Sequence, residues 1–256
     1  MKKAVLKFIF LGGFGYLLLC AFLYFNQDNL LYFPQERKET RDEHTLLIPT
    51  DVGNTVVTIQ TRNTGKALIY FGGNAEDVSQ RLAKFTQLFP HYSLYLMHYR
   101  GYGSDGQSRE ESIYQDALAL YEQVAEDNAD IVLMGRSLGT GIATRLAAKK
   151  PTKQLILITP YSSIEDVASE RYWGIPVSLL LKDKYLSWQY APKVRAKTSI
   201  FLATNDTVIS PDNTMRLYRQ FSPGLATVYR FENEGHSSIS SAPNYHGLLR
   251  SLTSEY

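Results

Sequence analysis

IVLMGRSLGTGIATRLAAKK, residues 131–150, is the stretch around which the rest of the chain is organised. Four apolar residues, Ile131 to Met134, read as a buried strand, and the spacing of Ile142, Leu146 and Ala147 reads as an amphipathic helix. Between them stands Gly135-Arg136-Ser137-Leu138-Gly139, a G-x-S-x-G pattern. On a strand-turn-helix this pattern forms a nucleophile elbow, a strained turn that pushes the serine hydroxyl above the sheet. Glycine on both flanks removes the Cβ atoms that would collide where strand and helix cross.

Working outward, strand patterns lie at 67–71, 94–98, 130–134, 154–159, 198–203 and 226–231, with helical patterns near 77–89, 110–126, 138–149, 211–221 and 240–252. Upstream, apolar runs on either side of Asp51-Val52-Gly53-Asn54 read as a β-hairpin at the sheet edge. Strands alternating with helices of this length make βαβ units, hence a mostly parallel sheet with helices on both faces. Ligand sites in such sheets lie beyond the carboxyl ends of the strands.

A serine hydroxyl needs a histidine base, and the histidine needs a carboxylate to fix its tautomer. With a G-x-S-x-G elbow the order along the chain is Ser, then Asp or Glu, then His. Asp206 follows the strand at 198–203, and His236, in Gly235-His236-Ser237, follows the last strand. An Asp after a strand is also a common turn or cap residue, and it is the combination that favours catalysis. Of the other histidines, His98 ends a strand but precedes Ser137, while His44, His91 and His246 fall at positions of structural or surface type. A developing oxyanion needs backbone N–H donors: Leu138 follows the nucleophile, and Asn74 lies in the glycine loop Phe71-Gly72-Gly73-Asn74-Ala75 after an early strand.

Together, Gly-Gly-Asn-Ala from Gly72, Tyr99-Arg100-Gly101-Tyr102-Gly103-Ser104, the elbow, Thr159-Pro160-Tyr161-Ser162-Ser163, Asn205-Asp206 and Gly235-His236 resemble the motif set of the α/β-hydrolase superfamily. Within it the chain is similar to the small membrane-anchored, ABHD-type (bud-emergence-suppressor-like) branch, over roughly residues 40–250. That branch usually carries a His where this chain has Gly72. The resemblance implies an α/β-hydrolase fold, a Ser137-Asp206-His236 triad, and Arg100 and Tyr102 as supports of a loop near the site. It also implies a lid insertion, about 160–197, holding Tyr172, Trp173, Leu179, Trp188 and Tyr190. These apolar side chains either receive an acyl group or close the core. Gly73, Tyr161 and Trp173 are the expected substrate contacts.

Residues 8–25 form an uncharged apolar run behind Lys2, Lys3 and Lys7, long enough to cross a bilayer as a tilted helix. The run is longer than a signal-peptide core and no A-x-A-like site follows, so the expectation is an uncleaved signal anchor. Cys20, preceded by Leu19, offers a poor lipoprotein signal. Tyr24, Phe25, Tyr32 and Phe33 suit an interfacial aromatic belt or pack on the domain. Arg37, Lys38 and Arg41 match the N-terminal lysines in number; a short basic tail before a large domain favours a cytoplasmic N-terminus and an extracytoplasmic catalytic domain. The expected organisation is a basic tail (1–7), an anchor (8–25), a linker (26–43) and a hydrolase domain (44–256).

The whole sequence, 256 residues at 44% hydrophobic and 20% charged, suffices for one large domain plus an anchor. A formal charge of +2 without a basic block argues against nucleic acid as a partner. Cys20 is the sole cysteine, so neither an intrachain disulfide nor a thiolate metal cluster can form, and no His pair has zinc-site spacing. No cofactor or metal is expected. The anticipated activity is hydrolysis of a carboxylic ester or thioester of a small or lipid-like acyl group through an acyl-enzyme. The alternatives are a peptidase or amidase of the same fold and a non-catalytic, membrane-tethered binding protein. Oligomeric state is left open.

Overall fold

The computed structural model describes residues 2–38 and 44–254, so Arg41 and residues 39–43 of the expected linker lie outside the described residues, as do residues 1, 255 and 256. In it the apolar runs align as β1 (Thr45–Thr50), β2 (Gly53–Gln60), β3 (Lys66–Phe71), β4 (Ser93–Met97), β5 (Asp130–Arg136), β6 (Gln154–Ile158), β7 (Lys197–Ala203) and β8 (Ala226–Phe231). They form one eight-stranded sheet in the order β1-β2-β4-β3-β5-β6-β7-β8. The hairpin β1–β2 is antiparallel and joins the sheet antiparallel to β4; every other neighbouring pair is parallel. The mostly parallel sheet and edge hairpin are those expected from the sequence.

The helices are α1 (Lys2–Leu31), α2 (Leu82–Leu88), α3 (Glu110–Asp127), α4 (Leu138–Ala147), α5 (Ile164–Arg171), α6 (Val177–Leu180), α7 (Ser187–Tyr190), α8 (Pro211–Tyr218) and α9 (Tyr245–Ser254). Alternate side chains of the central strands enter two separate cores, because successive Cβ atoms in a strand point to opposite faces. Ile69, Phe71, Leu133 and Leu157 pack with Ile113 and Leu120 of α3, Ile142 and Leu146 of α4 and Leu217 of α8. Leu68, Tyr70, Val132, Met134 and Ile156 pack with Phe85 and Leu88 of α2 and Leu249 of α9. Strands covered on both sides carry no polar alternation, which explains the unbroken apolar runs. Each fully buried Leu or Ile contributes about 1.5–3 kcal/mol.

Helix α1 continues to Leu31, beyond the apolar run at 8–25, so residues 26–31 are helix and not linker. The reason is tertiary. Gln27 Nε2 donates to the Leu180 carbonyl at 3.2 Å while Gln27 Oε1 accepts from Lys182 N at 2.8 Å, and Asp28 pairs with Arg109. Tyr32, just past the helix, is buried and hydrogen-bonded to Asp183 Oδ2 (2.8 Å) and to the Tyr185 hydroxyl (2.9 Å). Within α1, Val5–Leu31 is long and apolar enough to cross a membrane.

Candidate active site

Ser137 stands alone between β5 and α4 with φ 48° and ψ −117°, a conformation that L-residues adopt only when the surroundings impose it. Ser137 N donates to the Ile158 carbonyl at 2.9 Å, and the Ser137 carbonyl accepts from Thr140 N (2.9 Å) and Thr140 Oγ1 (2.6 Å). A Cβ on Gly139 would stand 2.2 Å from the Phe71 carbonyl oxygen, and one on Gly135 would stand 2.5 Å from the Gly139 carbonyl oxygen. The elbow therefore admits only glycine at both flanks.

His236 reaches the serine from the loop after β8. Its Nε2 lies 2.9 Å from Ser137 Oγ and its Nδ1 lies 2.7 Å from Asp206 Oδ2. Asp206, in the loop after β7, is buried, and its Oδ1 accepts from Val208 N (2.8 Å) and Ile209 N (2.9 Å). With Oδ1 taken by two backbone N–H donors, Nδ1–H pointing at Oδ2 leaves the Nε2 lone pair facing the serine hydroxyl. The two loops are fastened together: Thr204 N donates to the Phe231 carbonyl (3.1 Å) and Asn205 N to the Glu234 carbonyl (2.8 Å). The structure thus brings the three expected residues into one hydrogen-bonded chain.

On the other side of Ser137 runs the glycine loop after β3. Gly73 is so close that a Cβ on it would lie 3.6 Å from Ser137 Cβ. Its N–H is committed to Glu76 Oε2 at 2.7 Å. Glu76 also accepts from Arg81 Nε (2.6 Å) and the Tyr70 hydroxyl (3.0 Å), with Arg136 Nη1 at 3.5 Å. Burial pushes this carboxyl up, but Arg81, Arg136 and the Gly73 N–H outweigh it and hold it below the usual value. Glu76 is a loop-shaping residue that sequence reasoning passed over; its signal was a carboxylate three positions past the glycine pair with an arginine five further on.

The Asn74 side chain ties the same loop to the end of α1. Its Nδ2 donates to the Leu31 carbonyl (2.5 Å), and its Oδ1 accepts from Phe33 N (2.9 Å) and the Tyr102 hydroxyl (2.5 Å). Segment 33–38 then runs along the site. Lys38 N donates to Asp77 Oδ2 at 2.9 Å, and Gln35, Glu36 and Lys38 line a cleft of about 580 Å³ with Gly73, Ser137 and His236. In the sequence these residues read as linker.

Two expected substrate contacts lie elsewhere. Tyr161 is fully buried beneath α4, its hydroxyl donating to the Leu138 carbonyl at 2.8 Å and filling the space above Gly141. Trp173 is 90% exposed on the lid and does not line the cleft at Ser137. Gly73 does line it. At Gly72 a Cβ would stand 2.4 Å from Val78 Cγ1, so valine occupies the room a side chain at 72 would need. Arg100 is bonded to the Asp116 carboxylate (2.8 and 2.7 Å) and Asp51 (2.6 Å), away from Ser137. His98 is buried with its ring nitrogens on Thr58 Oγ1 (2.9 Å) and the Tyr102 carbonyl (3.1 Å); burial pushes it down to about 4. Among the described residues no group of three or more His, Cys, Asp and Glu side chains could hold a metal ion.

No family model matches the chain. An uncharacterized protein of Mycobacterium tuberculosis is 29% identical over 212 residues, covering 77% of this chain and 75% of the relative. Alpha/beta hydrolase domain-containing protein 17B of Homo sapiens is 24% identical over 216 residues, covering 80% and 73%. Among solved structures, the Pyrococcus furiosus esterase superposes with a TM-score of 0.69 at 15% identity, over 88% of this chain and 99% of that one. A monoacylglycerol lipase of Paleococcus ferrophilus superposes with a TM-score of 0.59 at 15% identity, over 78% and 97%.

Proposed function

The chain is a member of the α/β-hydrolase superfamily, and we propose that within it the protein is a membrane-anchored serine hydrolase of carboxylic esters or thioesters with a small or lipid-like acyl group. The observation that carries this reading is the unbroken chain from Ser137 Oγ through His236 (2.9 Å) to the buried Asp206 (2.7 Å). Ser137 Oγ attacks the substrate carbonyl carbon while His236 Nε2 takes its proton, and Asp206 stabilises the imidazolium. The oxyanion is held by Leu138 N–H, at the first turn of α4 where no helical partner exists, and by Asn74 N–H, the next donor along once Gly73 N–H is committed to Glu76. Collapse expels the alcohol or thiol, which takes the proton from His236. Water, deprotonated by the same nitrogen, then releases the acid from Ser137.

Esterases and lipases among the structural neighbours favour an ester over an amide. Helix α1, with Lys2 and Lys3 at its start, supports a span whose N-terminus faces the cytoplasm and whose hydrolase domain lies on the other side. A fluorophosphonate probe should label the wild-type protein and leave Ser137→Ala unlabelled; labelling that persists in the variant defeats the assignment. Rates on esters of increasing chain length, thioesters, lysophospholipids and aminoacyl amides then rank the substrate classes.

A further inference from the structure

The lid between β6 and β7 reaches back along α1, toward the helix's N-terminus. Its apex, from Tyr172 to Leu181, carries no charge and is bracketed by Arg171 and Lys182. Trp173 is 90% exposed and Leu179 81% exposed, yet this apex does not line the cleft at Ser137. Two contacts fix its depth against the helix. At the base of the apex, Lys182 Nζ sits 4.3 Å from the centroid of the Tyr24 ring. At the tip, the Tyr16 hydroxyl donates to the Gly174 carbonyl at 2.7 Å. An α-helix rises about 1.5 Å per residue, so the level of Tyr16 is about 12 Å nearer the N-terminus than that of Tyr24.

A bilayer core takes about 20 helical residues. With Lys3 at the far surface, the near boundary of the core therefore falls close to Tyr24, level with Lys182, and Lys7 extends its long side chain back to the far headgroups. Tyr16 and Gly174 then lie inside the lipid. We propose that the lid apex, with Trp173 and Leu179, inserts into the same bilayer leaflet that α1 leaves, so that a lipid surface is the partner of this exposed apolar patch. The proposal rests on the reading of α1 as a membrane span.

The chemistry of the apex fits that surrounding. Backbone N–H groups cannot be left open in lipid. Those of Ile175, Val177, Leu179, Leu180 and Leu181 are bonded to carbonyls within the apex. The Tyr16 hydroxyl, which would otherwise be stranded in hydrocarbon, is satisfied by the lid. Neighbouring lid charges are paired at the base of the apex: Glu170 with Arg216, and Lys184 with Glu165 at 2.9 Å.

Trp173 and Trp188 are the two tryptophans of the chain. The test uses full-length protein in phosphatidylcholine vesicles, with Trp188→Phe leaving Trp173 as the sole reporter and Trp173→Phe as the reciprocal. Phosphatidylcholine brominated on its acyl chains should quench Trp173 emission at least twofold and leave Trp188 nearly unchanged, and aqueous iodide should quench in the opposite order. Protein that floats with the vesicles while Trp173 stays open to iodide and untouched by bromine overturns the insertion alone. Protein that fails to float removes the membrane span and this inference with it, whereas probe labelling of Ser137 reports separately on the hydrolase reading.

Discussion

Replacing Asn74 by Ala removes a side chain and keeps the backbone N–H proposed to hold the oxyanion, so it separates positioning from donation. Four bonds disappear: Nδ2 to the Leu31 carbonyl, and Oδ1 from Phe33 N, from the Tyr102 hydroxyl and from Ala75 N. Burial pushes the Tyr102 phenol up to about 12, so it is a neutral donor at working pH. Phe33 N keeps a second acceptor in the Tyr102 hydroxyl at 2.7 Å, so at about 1 kcal/mol net for each of the other bonds the loop loses roughly 3 kcal/mol of support. For a domain of this size that lowers the melting midpoint by about 6–12 °C. A displacement of about 1 Å at a reacting group costs about 100-fold in rate, so kcat on a short p-nitrophenyl ester in detergent should fall on the order of 100-fold, with KM within about threefold. Asn74→Asp keeps the acceptor oxygen and loses only the donor to Leu31, and should fall between the two. Tyr102→Phe shares the network, so the double variant should lose less than the sum of the singles. If the midpoint drops as expected while kcat stays within twofold of wild type, the side chain stabilises the fold only and the positioning argument is wrong.

Asp206→Asn keeps an oxygen for Val208 N and Ile209 N but turns an amide NH₂ toward His236 Nδ1; kcat/KM should fall on the order of 10⁴-fold at pH 7 with an unchanged far-UV spectrum. His98 has its folded value pushed down to about 4 from 6.5, so between these pH values the unfolded chain binds a proton that the folded one refuses. Stability is therefore complete above 6.5 and falls by about 1.4 kcal/mol per unit as pH drops toward 4; melting midpoints of wild type and His98→Gln between pH 7 and 5 should converge on acidification, and parallel curves would refute the assignment. Gly72→His, which restores the residue usual in the resembling branch, meets Val78 Cγ1 at 2.4 Å; it should cost about 1–3 kcal/mol, recovered at least in part by adding Val78→Ala, as read from chemical denaturation.

What could be read from the sequence was what local rules control. Strands β3 to β6 announce themselves because burial on both faces leaves no polar position in their middles. The elbow is legible because Gly135 and Gly139 are required by contacts within a few residues of the serine and with one neighbouring loop. Asp206 and His236 were found because parallel strands bring all their carboxyl ends to one edge. Reading failed where a partner lies far along the chain. Residues 26–29, Asn-Gln-Asp-Asn, are polar and look like linker until Gln27 finds Leu180 and Lys182. Tyr161 and Trp173 are both aromatic residues after β6, and composition cannot tell that one turns under Gly141 while the other points outward.

The same long-range contacts redraw the boundary of the folded unit. A hydrolase domain cut to begin at 44 would lose Tyr32, the hydrogen-bond partner of Asp183 and Tyr185 in the core, together with both groups that hold the Asn74 side chain to α1. A buried carboxylate left without its donor costs about 1–3 kcal/mol or more, and a loop freed from its support loses geometry as well as stability. The lid and the glycine loop leave different parts of the sheet, yet both are bonded to residues 27–33: the lid through Gln27 and Tyr32, the loop through Leu31 and Phe33. The end of the apolar helix is thus structural material of the candidate site, joined to the lid and to the glycine loop through hydrogen bonds within one helical turn of Leu31.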